Sequence, residues 1–265
     1  MARPRIVALY TDYGLVDVYA GVLRGVLTTL APEAEVLDMC HAIAPGDRFE
    51  GAFMLLSAVP FLPRGTIHVC VVDPGVGTDR AIVAVRAGGH TLIGPDNGVL
   101  APVVEALGGA SEVRALTNDR LQRPRRGATF HGRDIMAPVA AHLVRGIEFG
   151  LVGDVAATLT DLPGFTPSVS ADRIDGRVLH IDRFGDVVTN LVPGDLGVGG
   201  STWRLRIAAT TIETWGDTYG RVAPGEFIAY PGSAGFVEVA VRDGNAAERM
   251  GVRRGDPVIA ERRTD

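Results

Sequence analysis

Residues 71 to 80 read V-V-D-P-G-V-G-T-D-R, an apolar run that carries Asp73 into two glycines with Arg80 seven positions on. A carboxylate and a guanidinium on so short a loop can pair through charge-assisted hydrogen bonds. They form either a charged turn or a pair that handles something between them. T-D-Y-G, residues 11 to 14, ends another apolar run and supplies a second carboxylate, Asp12. Such a carboxylate accepts both hydroxyls of a ribose diol, or it caps the helix that follows. A-T-F-H-G-R-D, residues 128 to 134, sets His131 and Arg133 just ahead of a helix with two glycines close by, as a structural pair or a proton-handling one. P-D-N-G at 95 to 98 is a turn signal, with Asp96 and Asn97 as secondary lining candidates. In the second half, I-D-R-F-G-D-V-V-T-N (181 to 190) and Y-P-G-S-A-G-F (230 to 236) are polar loops between apolar runs, and each suits a hairpin or a binding site.

The elements that must position these groups follow from hydrophobic period. I-V-A-L-Y-T (6 to 11) is continuous and apolar, as a strand buried on both faces is. Val22, Leu23, Val26, Leu27 and Leu30 recur at helical spacing from Asp17 until Ala31-Pro32 stops them. Strands are expected around Val36–Met39, at 67 to 72, at 82 to 85 and at 91 to 93. Helices are expected near 47 to 59, with Phe49, Phe53, Leu56 and Val59 inward, and at 99 to 107 and 135 to 144. This alternation predicts an α/β N-terminal domain with a largely parallel sheet, residues 1–163. In an open sheet of that kind Asp12 and Asp73 face one crevice outside the strand ends. D-L-P-G-F-T-P-S-V-S-A-D (161 to 172) reads as a linker, and the short alternating runs beyond it predict a small all-β C-terminal barrel over 172–265.

Composition narrows the chemistry. The chain has 265 residues, 46% hydrophobic, with net charge -5, and no stripe suited to nucleic acid is expected. The densest basic run, Arg120 to Arg126, lacks aromatics and reads as a solvated loop. All 26 basic residues are arginines, which excludes Schiff-base and P-loop lysines. Cys40 and Cys70 end apolar runs and read as buried, inert thiols without metal spacing. No membrane span and no secretory leader are expected, so the compartment expected is the cytoplasm.

T-D-Y-G-L-V-D, H-A-I-A-P-G-D-R-F-E-G-A, V-V-D-P-G-V-G-T-D-R, G-P-D-N-G-V-L, T-F-H-G-R-D, I-D-R-F-G-D-V-V-T-N and the S-A-G-F…N-A-A pair occur in that order across nearly the whole chain. Together they resemble the S-adenosylmethionine hydroxide adenosyltransferases, relatives of the fluorinating and chlorinating enzymes. The resemblance implies hydrolysis of S-adenosylmethionine to adenosine and L-methionine by water or hydroxide at ribose C5′, with no metal and no cofactor. It implies a homotrimer whose sites lie between one subunit's N-terminal domain and its neighbour's C-terminal domain, with the small molecule as the only other partner. It places the hydroxide-handling triad on Asp73, Arg80 and His131 and the ribose carboxylate on Asp12. It places the methionine ammonium on Asp182, the methionine carboxylate on Ser233, and the adenine cradle on Phe184, Asp186, Asn245 and Ala246, with Asn190 closing the same segment. Which member of the triad is the base stays open.

The chain also departs from the halogenating relatives. Asp73 stands where they carry a tyrosine, and Gly132 where the fluorinating enzyme has a halide-contacting serine. Gly46 and Val188 replace aromatics, and Ala234 replaces an arginine. A carboxylate at 73 repels a halide, so hydroxide is favoured over chloride or fluoride as the nucleophile. Three alternatives remain: a halogenating adenosyltransferase, a calcium-dependent nucleoside hydrolase suggested by Asp12 and Asp17, and a sensor that binds adenosine or S-adenosylmethionine without turnover. The calcium site lacks adjacent aspartates, and a sensor has no need of the triad.

Overall fold

The computed structural model describes residues 5–124, 127–197 and 202–263. The chain forms two compact units, Met1–Leu162 and Pro163–Asp265.

The first unit is built on a mixed sheet. Its elements run β1 (Ile6–Thr11), α1 (Tyr19–Leu30), β2 (Glu35–Cys40), α2 (Arg48–Ala58), β3 (Ile67–Val71), β4 (Ile82–Ala87), β5 (His90–Pro95), α3 (Ala101–Ala106), β6 (Ala110–Ala115) and α4 (Ala137–Val144). The strand order is β2-β1-β3-β5-β4-β6. β2, β1, β3 and β5 are parallel neighbours, whereas β4 is antiparallel to both β5 and β6. The sheet is therefore mixed, with β4 running against the other five strands, which share one direction. The reason is the tight Gly88-Gly89 turn, both glycines at positive φ, which returns the chain as a hairpin where a parallel crossover needs a helix. β6 has no continuous apolar run, its residues are half-buried or exposed, and sequence periodicity gave no sign of it.

Both faces of the sheet are covered, which is why β1 reads as unbroken apolar sequence. Val7 and Leu9 pack with α1 and α4, while Ala8 and Tyr10 face the opposite layer with Leu55 and Val103. In α2 the buried leucine is Leu55, with Leu56 only half-buried. α4 is preceded by one turn of π-helix over Gly132–Met136.

The second unit is an antiparallel, barrel-like sheet: β7 (Ser168–Val169), β8 (Arg173–Ile181), β9 (Val187–Thr189), β10 (Trp203–Ile207), β11 (Thr210–Ile212), β12 (Phe227–Pro231), β13 (Val237–Val241) and β14 (Pro257–Arg262). Its path is β11-β10-β14-β8-β9-β13-β12, and a bridge between Trp215, just past β11, and Ala229 on β12 nearly closes it. Trp203, Leu205, Val239 and Val258 fill its interior. An α-helix, α5 (Ala246–Met250), interrupts the strand pattern. The expected linker is largely exposed but anchored at points: Leu162 and Phe165 are buried and Ser168–Val169 pairs with β8. Arg125 and Arg126 of the basic run lie outside the described residues. Of the cysteines, Cys70 is buried but Cys40 only half-buried, since it ends β2, the edge strand of the sheet. Among the described residues no helix is long and apolar enough to cross a membrane.

Candidate active site

β1 lies between β2 and β3, so the chain leaves β1 toward one side of the sheet and leaves β2 toward the other. The crevice outside the carboxyl ends of β1 and β3 is the switch point at which open α/β sheets bind ligands. Asp12 and Asp73 both emerge there, and the Asp12 N–H still reaches the Val71 carbonyl at 3.4 Å.

The loop after β3 folds back on itself. Val76 N–H donates to the Asp73 carbonyl at 3.2 Å, Thr78 N–H donates to the Gly75 carbonyl at 3.1 Å, and Gly77 takes φ +84. Positive φ is readily available only to glycine. The fold-back brings Arg80 onto Asp73. Its Nε–H donates to Asp73 Oδ1 at 2.7 Å, and Nη2 donates to Asp73 Oδ2 and to His131 Nδ1, the latter at 2.7 Å. The two side chains of the ion pair are 5% and 11% exposed. A guanidinium can only donate, so His131 Nδ1 is an acceptor and the neutral imidazole carries its proton on Nε2. Arg80 Nη1 is buried with no hydrogen-bond partner among the described residues. A buried donor in that state is unusual and disfavoured unless something pairs with it.

Asp12, Tyr13, Val71, Asp73, Val76, Thr129, His131 and Gly132 line one cavity of about 50 Å³. Asp12 does not cap α1, whose N-cap is Val18 with no side-chain cap bond. Its Oδ2 instead accepts the Gly46 N–H at 2.8 Å. Burial first, and the nearby Asp73 carboxylate less so, raise the Asp12 pKa, with the Gly46 bond opposing them. The T-D-Y-G loop is clamped by a residue the sequence did not single out. Tyr13 N–H donates to Thr11 Oγ1 at 3.3 Å, Thr11 Oγ1 meets His41 Nδ1 at 2.8 Å, and His41 Nε2 meets Asp38 at 3.0 Å. Arg24 holds Asp38 from the other side, and Gly14 N–H donates to the His41 carbonyl at 2.6 Å. Long sequence separation hid this chain.

Three other polar groups of the first unit serve the framework. Asp96 accepts the Thr160 N–H at 2.7 Å, and Asn97 ties the Val72 carbonyl to the Val99 N–H. Arg133 is held by both oxygens of buried Asp134 and lies over the Phe130 ring at 4.8 Å. A second cavity of about 380 Å³ opens beside it, lined by Tyr13, Tyr19, Gly127, Thr129, Phe130 and Arg133.

In the second unit the loop after β8 meets β12. Asp182 Oδ1 accepts the N–H groups of Phe184 and Asp186 at 2.9 and 2.8 Å, so it shapes its own loop. Asp186 Oδ2 accepts the Tyr230 hydroxyl at 3.0 Å. Burial raises the pKa of Asp186 and of nearby Glu238, and carboxylate repulsion adds to it, with Tyr230 hydrogen bonds opposing. Phe184 is 77% exposed and Ser233 is exposed. Asn245 caps α5 by accepting the Glu248 N–H at 2.8 Å and sits against Gly185, where any Cβ would collide with it. Ala247 N–H donates to the Gly185 carbonyl at 2.9 Å beside buried Ala246, which locks the two segments together. Asn190 is buried, its Oδ1 accepting from Arg177 N–H and its Nδ2 donating to the Phe165 carbonyl, which gives it a framework position. Tyr230 and Glu238 are the members of this cluster that sequence reasoning passed over. Tyr230 begins the Y-P-G-S-A-G-F run, but nothing local linked it to Asp186.

A crevice built around a carboxylate, a guanidinium and an imidazole, on a mixed α/β unit followed by a barrel-like antiparallel unit, defines a class of small-molecule enzyme. The family models of the SAM hydroxide adenosyltransferase N-terminal and C-terminal domains match residues 7–153 and 176–259, and the chain belongs to that family. It is 41% identical to a (R)-S-adenosyl-L-methionine hydrolase of Salinispora tropica, with 97% of each chain covered. It is 26% identical to a fluorinase of Nocardia brasiliensis, covering 96% of this chain and 95% of that one. A crystal structure of an uncharacterized conserved protein from Thermotoga maritima superposes with TM-score 0.88 at 33% identity, over 97% of this chain and 100% of that one.

Proposed function

We propose that this chain hydrolyses S-adenosyl-L-methionine to adenosine and L-methionine. The observation that carries the reading is the Asp73–Arg80–His131 constellation, whose Asp73 and His131 line a cavity of about 50 Å³ together with Asp12. The identity to relatives named (R)-S-adenosyl-L-methionine hydrolase supports it.

The water's oxygen forms a bond to ribose C5′ while the C5′–sulfur bond breaks and its electron pair returns to sulfur. The sulfonium becomes neutral methionine and the water loses one proton. Water is a weak nucleophile at its pKa of about 15.7, so the site must hold it and take that proton. His131 Nδ1 is occupied by Arg80 and its Nε2 bears a proton, so the imidazole is arranged as a donor. Asp73 keeps lone pairs beyond the two bonds to Arg80 and is the proton acceptor we assign. Arg80 orients both. Asp12 takes the ribose hydroxyls. Asp182 receives the methionine ammonium and Ser233 its carboxylate, while Phe184, Asp186, Asn245 and Ala246 receive adenine with Asn190 holding their loop. The domains serving these roles are 1–163 and 172–265, the second a small all-β barrel. We propose a homotrimer that completes each site from neighbouring subunits, working without metal or cofactor in the cytoplasm. The unpaired Cys40 and Cys70 are consistent with that compartment.

The test is mass spectrometry of products formed in oxygen-18 water, with and without chloride. Labelled adenosine with unlabelled methionine is expected. A 5′-chloro product would move the chain to the halogenating branch, and bound but unconverted substrate would make it a sensor. Sedimentation giving a species other than three copies would remove the trimer.

A further inference from the structure

Tyr13 lines both the cavity of about 50 Å³ and the one of about 380 Å³. Its ring is pinned edge-on by Tyr19 and Phe130, with centroids 5.8 and 5.6 Å away. Its backbone N–H is spent on Thr11, but its phenol oxygen has no hydrogen-bond partner among the described residues. The oxygen rests on the backbone of Gly132, where a Cβ would come within 2.7 Å of it. Gly132 adjoins His131, and both line the small cavity with Asp12 and Asp73. Burial first, then the Asp12 and Asp73 carboxylates, push the phenol pKa up, with Arg133 opposing, so the hydroxyl stays protonated. The cavity, at about 50 Å³, suits one or two waters, each occupying about 30 Å³ in the liquid.

We propose that Tyr13 is a further catalytic residue, its O–H donating a hydrogen bond to the oxygen of the attacking water, and that Gly132 is glycine because this phenol needs the space. The inference rests on the hydrolase reading above. A water held by this donor directs its remaining lone pair at C5′ while Asp73 takes a proton from it. The hydrogen bond fixes the nucleophile's position and stabilises it as it acquires hydroxide character. The clash distance makes a specific demand on position 132. A side chain there moves the phenol oxygen, yet once that oxygen is gone the next contacts are Leu23 and Val71 at 3.4 Å, ordinary packing.

The experiment is a double-mutant cycle of Tyr13→Phe and Gly132→Ala, with kcat, KM and thermal midpoint measured for all four proteins on S-adenosyl-L-methionine. Tyr13→Phe keeps the ring packing, so an unchanged midpoint, a KM within twofold and a kcat lowered about 10-fold are expected, the last being the loss of one hydrogen bond to the reacting atom. Gly132→Ala should lower kcat comparably in the parent and add little in the Tyr13→Phe background. Parent-like kcat in Tyr13→Phe overturns the proposal. So does a rise in KM alone, or an equal effect of Gly132→Ala in both backgrounds. A parent protein that forms no adenosine would instead strike the hydrolase reading, and the phenol's role with it.

Discussion

Replacing Asp73 with asparagine changes one atom and separates the triad from its surroundings. In the parent both Asp73 oxygens accept from Arg80, and Arg80 Nη2 also serves His131. The amide oxygen can keep the Nε–H bond, but its NH₂ then faces Nη2, donor against donor, and the guanidinium loses its counter-charge. Removing one member of a buried pair costs about 3–5 kcal/mol. These side chains are 5% and 11% exposed and one hydrogen bond survives, so the lower end, about 3 kcal/mol, applies. For a chain this long that lowers the thermal midpoint by about 6–12 °C. Loss of the proton acceptor should reduce kcat by about 100-fold or more. Substrate affinity should change only a few-fold, because Asp12, Asp182 and Ser233 carry recognition in the proposed site. Calorimetric melting, isothermal titration with S-adenosyl-L-methionine and chromatographic assay of adenosine read the three quantities. A folded Asp73→Asn protein with parent kcat would refute both the base assignment and the triad.

Three further perturbations test the surroundings. Thr11→Val keeps shape but leaves His41 Nδ1 and Tyr13 N–H unpaired; urea unfolding should show a loss of about 2–4 kcal/mol and kcat should fall, whereas Thr11→Ser should restore both. Gly46→Ala puts a side chain at φ +72, destabilising by about 1–2 kcal/mol, and should raise KM because the Gly46 N–H orients Asp12. His68, which meets Tyr10 at 3.2 Å and His90 at 3.1 Å, has its pKa lowered to about 3 by burial and by His90. Its folded pKa lies below the unfolded value of about 6.5, so the unfolded chain takes up the proton first. This group's stability contribution is full above pH 6.5 and declines as pH falls from there toward 3. NMR should show flat His68 ring shifts from pH 8 to 5, and titration within that range would refute the buried neutral state.

Much of the molecule was legible in the sequence because its signals are local. The run 6 to 11 is a central strand since both sheet faces are buried. The spacing of Leu23, Val26 and Leu27 marks a helix, and Gly77 announces a turn tight enough to bring Arg80 back to Asp73. The direction of β4, the edge strand β6 and the pairing of Ser168–Val169 with β8 were not legible, because the pairing partners there come from distant residues.

The sequence by itself determined the family, the alternation of strands and helices, and the residue types of the candidate site: Asp12, Asp73, Arg80 and His131, with no lysine to compete. Only the tertiary structure decided their chemistry. Arg80 turns His131 Nδ1 into an acceptor across 51 residues of chain. His41, just past the end of β2, reaches over to clamp the Asp12 loop, and Asn190 serves the backbone. The phenol of Tyr13 finds its place over Gly132. Hydrogen-bond roles depend on which atoms meet at about 3 Å, and a linear pattern of residue types carries no such distances.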